Sequence, residues 1–139
     1  MKNVDYTGMT ARELIEIFIE SSAAQQTATL FDVDSYNRHA DQIRAARSEL
    51  WRRGPKVFAE LIPLLRHQTA GVRLNAAINC LRIAPKKALK VLHALAAQGG
   101  TEESLHADRV LDLWHRGEFP PPDERLGDID EADTVTKSR

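Results

Sequence analysis

The sequence predicts an all-α fold of about six helices arranged as three stacked antiparallel pairs, and three observations carry that expectation. Apolar residues recur at the 3.6-residue helical period along most of the chain, and no run of alternating Val, Ile or Thr reads as a strand. Residues 72–83 are apolar on two sides: Leu74, Ala77, Ile78 and Leu81 form an i, i+3, i+4, i+7 stripe, while Val72, Ala76 and Ile83 gather almost opposite. Only narrow polar strips remain, Asn75, Asn79 and Arg82 on one flank and Arg73 beside Cys80 on the other. The chain also repeats weakly. A shift of thirty residues places Pro55 and Lys56 on Pro85 and Lys86, Leu65 on Leu95, Ala77 on Ala107 and Leu81 on Leu111. A shift of thirty-one brings Ile43, Ala46 and Leu50 onto Leu74, Ala77 and Leu81. One helix pair cannot bury its own apolar face, so about three stacked pairs are the minimum for such a design. The alternative is a generic six-helix bundle in which the shared spacing is coincidence.

The first helix is expected to start after Thr10, which with Glu13 has the form of a capping box. Leu14, Ile17, Phe18, Ala24, Ala28 and Phe31 keep to one side and carry it to about Leu30, with Ser21 and Ser22 as a weak point. Asp32 or Asp34 caps the second helix, whose stripe is Tyr36, Ala40, Ile43, Ala46 and Leu50, and Gly54 stands where a left-handed residue ends it. Pro55 opens the third, since a proline in the first turn forfeits no helical hydrogen bond. Val57, Phe58, Leu61, Leu64 and Leu65 form its apolar face, and Pro63 is expected to free the carbonyl of Ala59 and bend the axis. Residues 66–71 read as a tight turn into the fourth helix, 72–83, which Pro85 terminates. The fifth buries Ala88, Val91, Leu92, Leu95 and Ala96 and stops at Gly99 and Gly100. Thr101 caps the sixth, with Glu102 and Glu103 in its first turn, where the helix dipole favours negative charge, and with Ala107, Val110, Leu111 and Trp114 as its stripe.

These boundaries divide the chain into an N-terminal extension, 1–9, a helical domain, 10–117, and a tail, 118–139, whose prolines, charges and scarcity of large apolar residues are the composition of a disordered segment. At 139 residues one domain can bury roughly two-thirds of its unfolded surface. The single cysteine, Cys80, excludes an internal disulfide and points to a reducing compartment; in mid-helix it reads as a core residue. The first residues are too polar for a secretory signal and no apolar run approaches a membrane span, so a soluble cytoplasmic protein is expected.

The net charge of −1 hides an uneven distribution. Residues 38–90 carry twelve Lys/Arg against three Asp/Glu, whereas 1–37 and 91–139 are both acidic. Either the helix faces neutralise one another in the fold or the basic middle meets an anionic partner.

The run Leu-Ile-Pro-Leu-Leu-Arg-His at 61–67, followed by Gly-Val-Arg-Leu-Asn-Ala-Ala at 71–77 and Ile-Ala-Pro at 83–85, resembles a HEAT or armadillo-type repeat. Taken with Leu14 to Phe18, Tyr36, Asn37 and Arg38, and the second helix ending from Glu49 and Leu50 to Gly54, the chain is more closely similar to small bacterial proteins grouped as "domain of unknown function twenty-nineteen". The resemblance covers about residues 8–117. It implies the fold and brings no catalytic residues. Gln68 and Thr69 depart from the Pro-Asn more usual in such turns.

No reaction is indicated by the residues themselves. His39, His67, His93, His106 and His115 never fall at i, i+4 with one another, so no metal-ligand spacing arises. His106 and Asp108, at i, i+2, point to different sides of a helix. A Gly-rich phosphate loop, a Cys-x-x-Cys pair and a nucleophile elbow are all missing from the sequence, so neither enzyme activity nor a cofactor or metal is expected. The expectation is a module that binds another polypeptide, as an adaptor or a toxin-neutralising protein. The alternative is nucleic-acid binding through 38–90, against which stand the few aromatic residues and the acidic ends. If the second, fourth and sixth helices stack in the repeat register, Arg44, Ser48 and Trp51 align with Asn75, Asn79 and Arg82 and with Arg109 and Asp112. That strip has the arginines and tryptophan typical of interface hot spots. Otherwise Trp51 simply plugs the end of the core beside Leu50.

Overall fold

The computed structural model describes residues 4–28 and 32–120. Among these residues there are six α-helices and no strand: α1 (Ala11–Thr27), α2 (Val33–Arg52), α3 (Pro55–Phe58), α4 (Ala70–Cys80), α5 (Pro85–Gln98) and α6 (Glu102–His115). The expected end of the first helix at Leu30 and Phe31, and the tail from 121 onward, lie outside the described residues. The chain falls into two compact units, one running to Glu60 and the other starting at Leu61.

In the first unit α1 begins with the complete capping box. The Glu13 amide donates to the Thr10 hydroxyl at 3.0 Å, and the Thr10 amide donates to the Glu13 carboxylate at 2.9 Å. Leu14, Phe18, Ser21 and Ser22 form its buried face. The two serines are therefore no break in the helix; Ser21 Oγ donates to Gln42 Oε1 of α2 at 3.1 Å, which satisfies a hydroxyl inside the packed face. The Asp32 carboxylate caps α2 by accepting from the Ser35 amide at 3.2 Å. Ser21 meets Gln42, and the residues just before α1 meet Arg53 just after α2, so the two helices run antiparallel. Gly54 follows with φ +111°, a conformation that a side chain would strain, and turns the chain into Pro55.

The third predicted helix is corrected by the structure. Only Pro55–Phe58 is α-helical, and Ala59–Arg66 is 3-10 helix. Pro63 has no N–H to offer the carbonyl of Ala59, and its ring would crowd that carbonyl in an α-helix. Tightening to i, i+3 bonding before the proline is reached takes the place of the expected bend. Phe58, Leu61, Leu64 and Leu65 are still buried, as the apolar spacing requires.

In the second unit α4 buries Val72, Leu74, Ala76, Ala77, Ile78 and Cys80, residues of both predicted apolar sides. It starts two residues before the expected position and ends at Cys80 rather than Ile83. Its entry is built by Arg73, which donates to the carbonyls of His67 at 2.8 Å and Gln68 at 3.0 Å, while the Thr69 amide donates to His67 Nδ1 at 3.0 Å. Helix α5 starts at Pro85, buries Ala88, Leu92 and Leu95, and is ended by Gly99 at φ +65°. The Thr101 hydroxyl caps α6 by accepting from the Ser104 amide at 3.0 Å. The Ser104 hydroxyl donates to the Ala96 carbonyl at 3.0 Å and accepts from the Gly99 amide at 2.9 Å, so one buried side chain satisfies the free end of α5 from the first turn of α6. These contacts, with His93 beside His115, make α5 and α6 an antiparallel hairpin, and α4 packs on α5.

Candidate interaction surface

The sequence placed eight residues on one polar strip, and each unit holds part of it. In the first, Arg44, Ser48 and Trp51 stand at i, i+4 and i+7 on α2. Arg44 donates to Asp41 at 3.0 Å, and Ser48 is exposed. Trp51 is half-buried with its ring edge-on to Phe58, centroids 5.0 Å apart, so it joins the core on one side and reaches solvent on the other.

In the second unit Asn79 must be withdrawn from the strip, because it is only 1 % exposed. Its Nδ2 donates to the Asn75 carbonyl at 2.8 Å, and its Oδ1 accepts from Arg82 at 3.2 Å. A side chain already bonded at both ends inside the protein offers nothing to a partner. The Arg82 guanidinium lies 5.5 Å from the centre of the Phe119 ring, which in turn contacts Trp114 at 6.3 Å, so Arg82 closes an aromatic stack at the end of α6. Arg109 and Asp112 lie elsewhere on that helix. They line an open groove of about 690 Å³ between α5 and α6, together with His93, Ala97, Leu105, Asp108 and His115. Leu105 is 72 % exposed there, and Asp112 pairs with Arg116 at 3.1 Å. Sequence reasoning missed this groove because two of its walls face each other across the α5–α6 hairpin, while the strip followed one side of each helix.

Several arginines of the basic middle serve the chain's own backbone. Arg53, after α2, donates from Nη2 to the carbonyls of Tyr6 and Thr7 at 3.3 Å and of Met9 at 2.6 Å, and from Nε to Glu49 at 2.8 Å. Arg52 grips the same carboxylate with bonds of 3.0 and 2.5 Å. The Arg52 bonds, joined by those of Arg53, hold the Glu49 carboxyl below its ordinary value although burial opposes them. Arg47 is buried, and Arg73 and Arg82 make the bonds already described. Lys56, Lys86, Lys87 and Lys90 remain exposed, as do Arg38, Arg44, Arg52 and Arg66.

Cys80 is buried, and the low-dielectric surroundings push its thiol up to about 12, so the nucleophilic thiolate is scarce at neutral pH. Among the described residues no three His, Cys, Asp or Glu side chains come together as a metal-binding group, and no helix is long and apolar enough to cross a membrane.

Residues 12–115 match the family described as "Domain of unknown function (DUF2019)". The chain belongs to that family. Its helices superpose on the crystal structure of the protein RPA1889 from Rhodopseudomonas palustris CGA009 with a TM-score of 0.79 and 28% sequence identity, covering 86% of this chain and 99% of the other. No curated protein matches this DUF2019 chain.

Proposed function

We propose that the chain is a non-enzymatic, HEAT-like module of the cytoplasm that binds another polypeptide through the groove between α5 and α6. The observation that carries the reading is the make-up of that groove: an exposed Leu105 and two alanines, Ala96 and Ala97, line it together with charges of both signs, Arg109, Asp108 and Asp112. Apolar area surrounded by paired charge is how a polypeptide surface combines affinity with register. The HEAT-like part of the reading draws on the thirty-residue repeat and on helices that pack on their successors, α4 on α5 and α5 on α6.

The nucleic-acid alternative has less support, because Arg47, Arg53, Arg73 and Arg82 of the basic segment are buried or bonded to the chain itself. Counterion release scales with the cations left to meet phosphates. One experiment weighs both. The tagged chain is purified after cross-linking in its native cell, alongside Leu105→Asp and Arg109→Glu, and a random DNA duplex is titrated at low salt. A defined protein recovered with the wild type and lost from both variants supports the groove reading. Equal recovery with all three refutes it, and tight, salt-sensitive duplex binding favours the alternative.

A further inference from the structure

Two histidines that are far apart in sequence meet across the α5–α6 hairpin. His93 lies on the third turn of α5 and His115 closes α6, and their ring centroids are 6.0 Å apart with the planes tilted by 35°. Both side chains are exposed and both line the groove. Spacing along the chain concealed the pair, because twenty-two residues separate them and the antiparallel turn at Gly99 and Gly100 is what brings them level.

We propose that His93 and His115 together bind one late first-row divalent metal ion, of the Cu²⁺, Ni²⁺ or Zn²⁺ class, with water in the remaining positions. The geometry sets the case. An ion about 2.1 Å from an imidazole nitrogen lies about 3.2 Å from that ring's centroid, so two rings sharing it have centroids at most about 6.4 Å apart, and about 5.2 Å apart at a tetrahedral angle. The observed separation falls inside the upper bound and needs less than an ångström of closure to reach the tetrahedral value. Exposed imidazoles can make that adjustment by turning about their own side-chain bonds. Imidazole nitrogen suits these ions and not calcium or magnesium, which take oxygen.

The surrounding charge allows a cation. Asp108 and Asp112 line the groove against Arg109, and the nearby Arg116 is held by Asp112 at 3.1 Å and by Glu118 at 3.5 Å. The site is independent of the polypeptide-binding reading, since it requires only the α5–α6 hairpin.

The test titrates Ni²⁺ and Zn²⁺ separately into the full chain, followed by calorimetry and by the histidine ring resonances. One ion per chain is expected, with the His93 and His115 resonances shifting together. Either His93→Ala or His115→Ala should weaken binding by at least about tenfold, since even loss of an outer partner of a metal ligand costs that much. His106→Ala, outside the groove, should bind like the wild type. Both altered side chains are exposed, so the variants are expected to fold, and an unchanged circular dichroism spectrum checks it; His93→Gln provides a second variant that keeps the bulk. Binding that persists unchanged in His93→Ala or His115→Ala, or one ion shared between two chains, overturns the proposal.

Discussion

Helix α4 is eleven residues long and buries eight of them, nearly all apolar or small; α2 is twenty residues long and buries five, of which Arg47 and Glu49 are charged. The two helices belong to different units and are fixed by different physics. Around α4 the fold rests on area removed from water, which is non-directional and tolerates exchange of one apolar side chain for another of equal volume. Around α2 the apolar stripe is thin, and directional bonds add to it: Ser21 to Gln42, Arg52 and Arg53 to Glu49, and Arg53 to the carbonyls before α1. Bonds of that kind specify one geometry, and their loss is costly where the group left behind is buried, as Ser21 and Glu49 are.

The comparison breaks most visibly at Leu81. This side chain is 2 % exposed at the end of α4, and Leu81→Ala should lower the unfolding free energy by about 2–5 kcal/mol through lost transfer energy and a residual cavity. A denaturant midpoint shift worth less than about 1 kcal/mol would show that apolar burial does not dominate the second unit.

Next in size is Glu49→Gln on α2. Glutamine keeps the shape and removes the charge that two guanidinium groups grip, and hydrogen bonds to charged groups set the scale at about 1–3 kcal/mol. The lower part of that range is expected, since Arg52 is 58% exposed and its pairing is screened by water. The pH dependence has a definite sign. Because the folded carboxyl is held below the ordinary 4.5, its stabilisation is complete above that value and disappears as pH falls through the lowered folded value. The stability gap between wild type and variant should therefore narrow on acidification from about pH 6 to about pH 3. A gap constant across that range would mean that the carboxylate is no better held in the folded chain than in the unfolded one.

Ser104→Ala carries the test of a directional bond into the second unit. Its hydroxyl makes two bonds across the α5–α6 turn while only 4 % exposed, and their loss should cost about 1–2 kcal/mol. Thermal unfolding checks this, and a change smaller than that for an exposed serine such as Ser48→Ala would remove the bonds from the account.

The same division explains what was legible in the sequence. Periodicity reports apolar burial, so the all-α class with six helices, the two-sided character of α4, the caps at Thr10 and Thr101 and, as one of two candidates, the cap at Asp32 could be read from the chain, while the third helix predicted in the same way is too long. Position in a pattern does not report what a polar side chain bonds to. Ser21 and Ser22 read as a weak point and are buried, and Ser104, which no pattern singles out, is buried as well; Asn79 reads as surface because it flanks a stripe, yet its amide is bonded at both ends. Arg53 reads as one cation of a basic segment, yet one of its four bonds is to Glu49, four positions back on α2, and three are to carbonyls more than forty positions away. At Pro63 the sequence predicts a bend, and the backbone tightens into 3-10 helix instead, because the missing N–H is accommodated by i, i+3 bonding, which periodicity does not report. Of the eight strip residues, Arg109 and Asp112 line the groove that the hairpin creates, and no single-helix pattern contains a groove.

Arg53→Lys has the smallest expected global effect and isolates the directional term most cleanly. Lysine keeps the positive charge and most of the stem but replaces a planar fork with one compact ammonium, which cannot serve Glu49 and three backbone carbonyls at once. The residues released are those just before α1, whose own start stays fixed by the Thr10 and Glu13 box, so the global loss should remain below about 1 kcal/mol. The local loss is larger. In the wild type the Gly8 and Met9 amides donate to the carbonyls of Asp5 and Tyr6 at 3.4 and 3.2 Å, in a short 3-10 turn that Arg53 holds down. Freed from that hold, these amides should exchange with solvent faster by on the order of tenfold, while the amides of Leu14 and Phe18 exchange as before. Uniform acceleration through α1 would mean that Arg53 supports the whole first hairpin rather than its entry, and unchanged exchange at Gly8 and Met9 would mean that charge alone, which lysine retains, is sufficient to hold the turn.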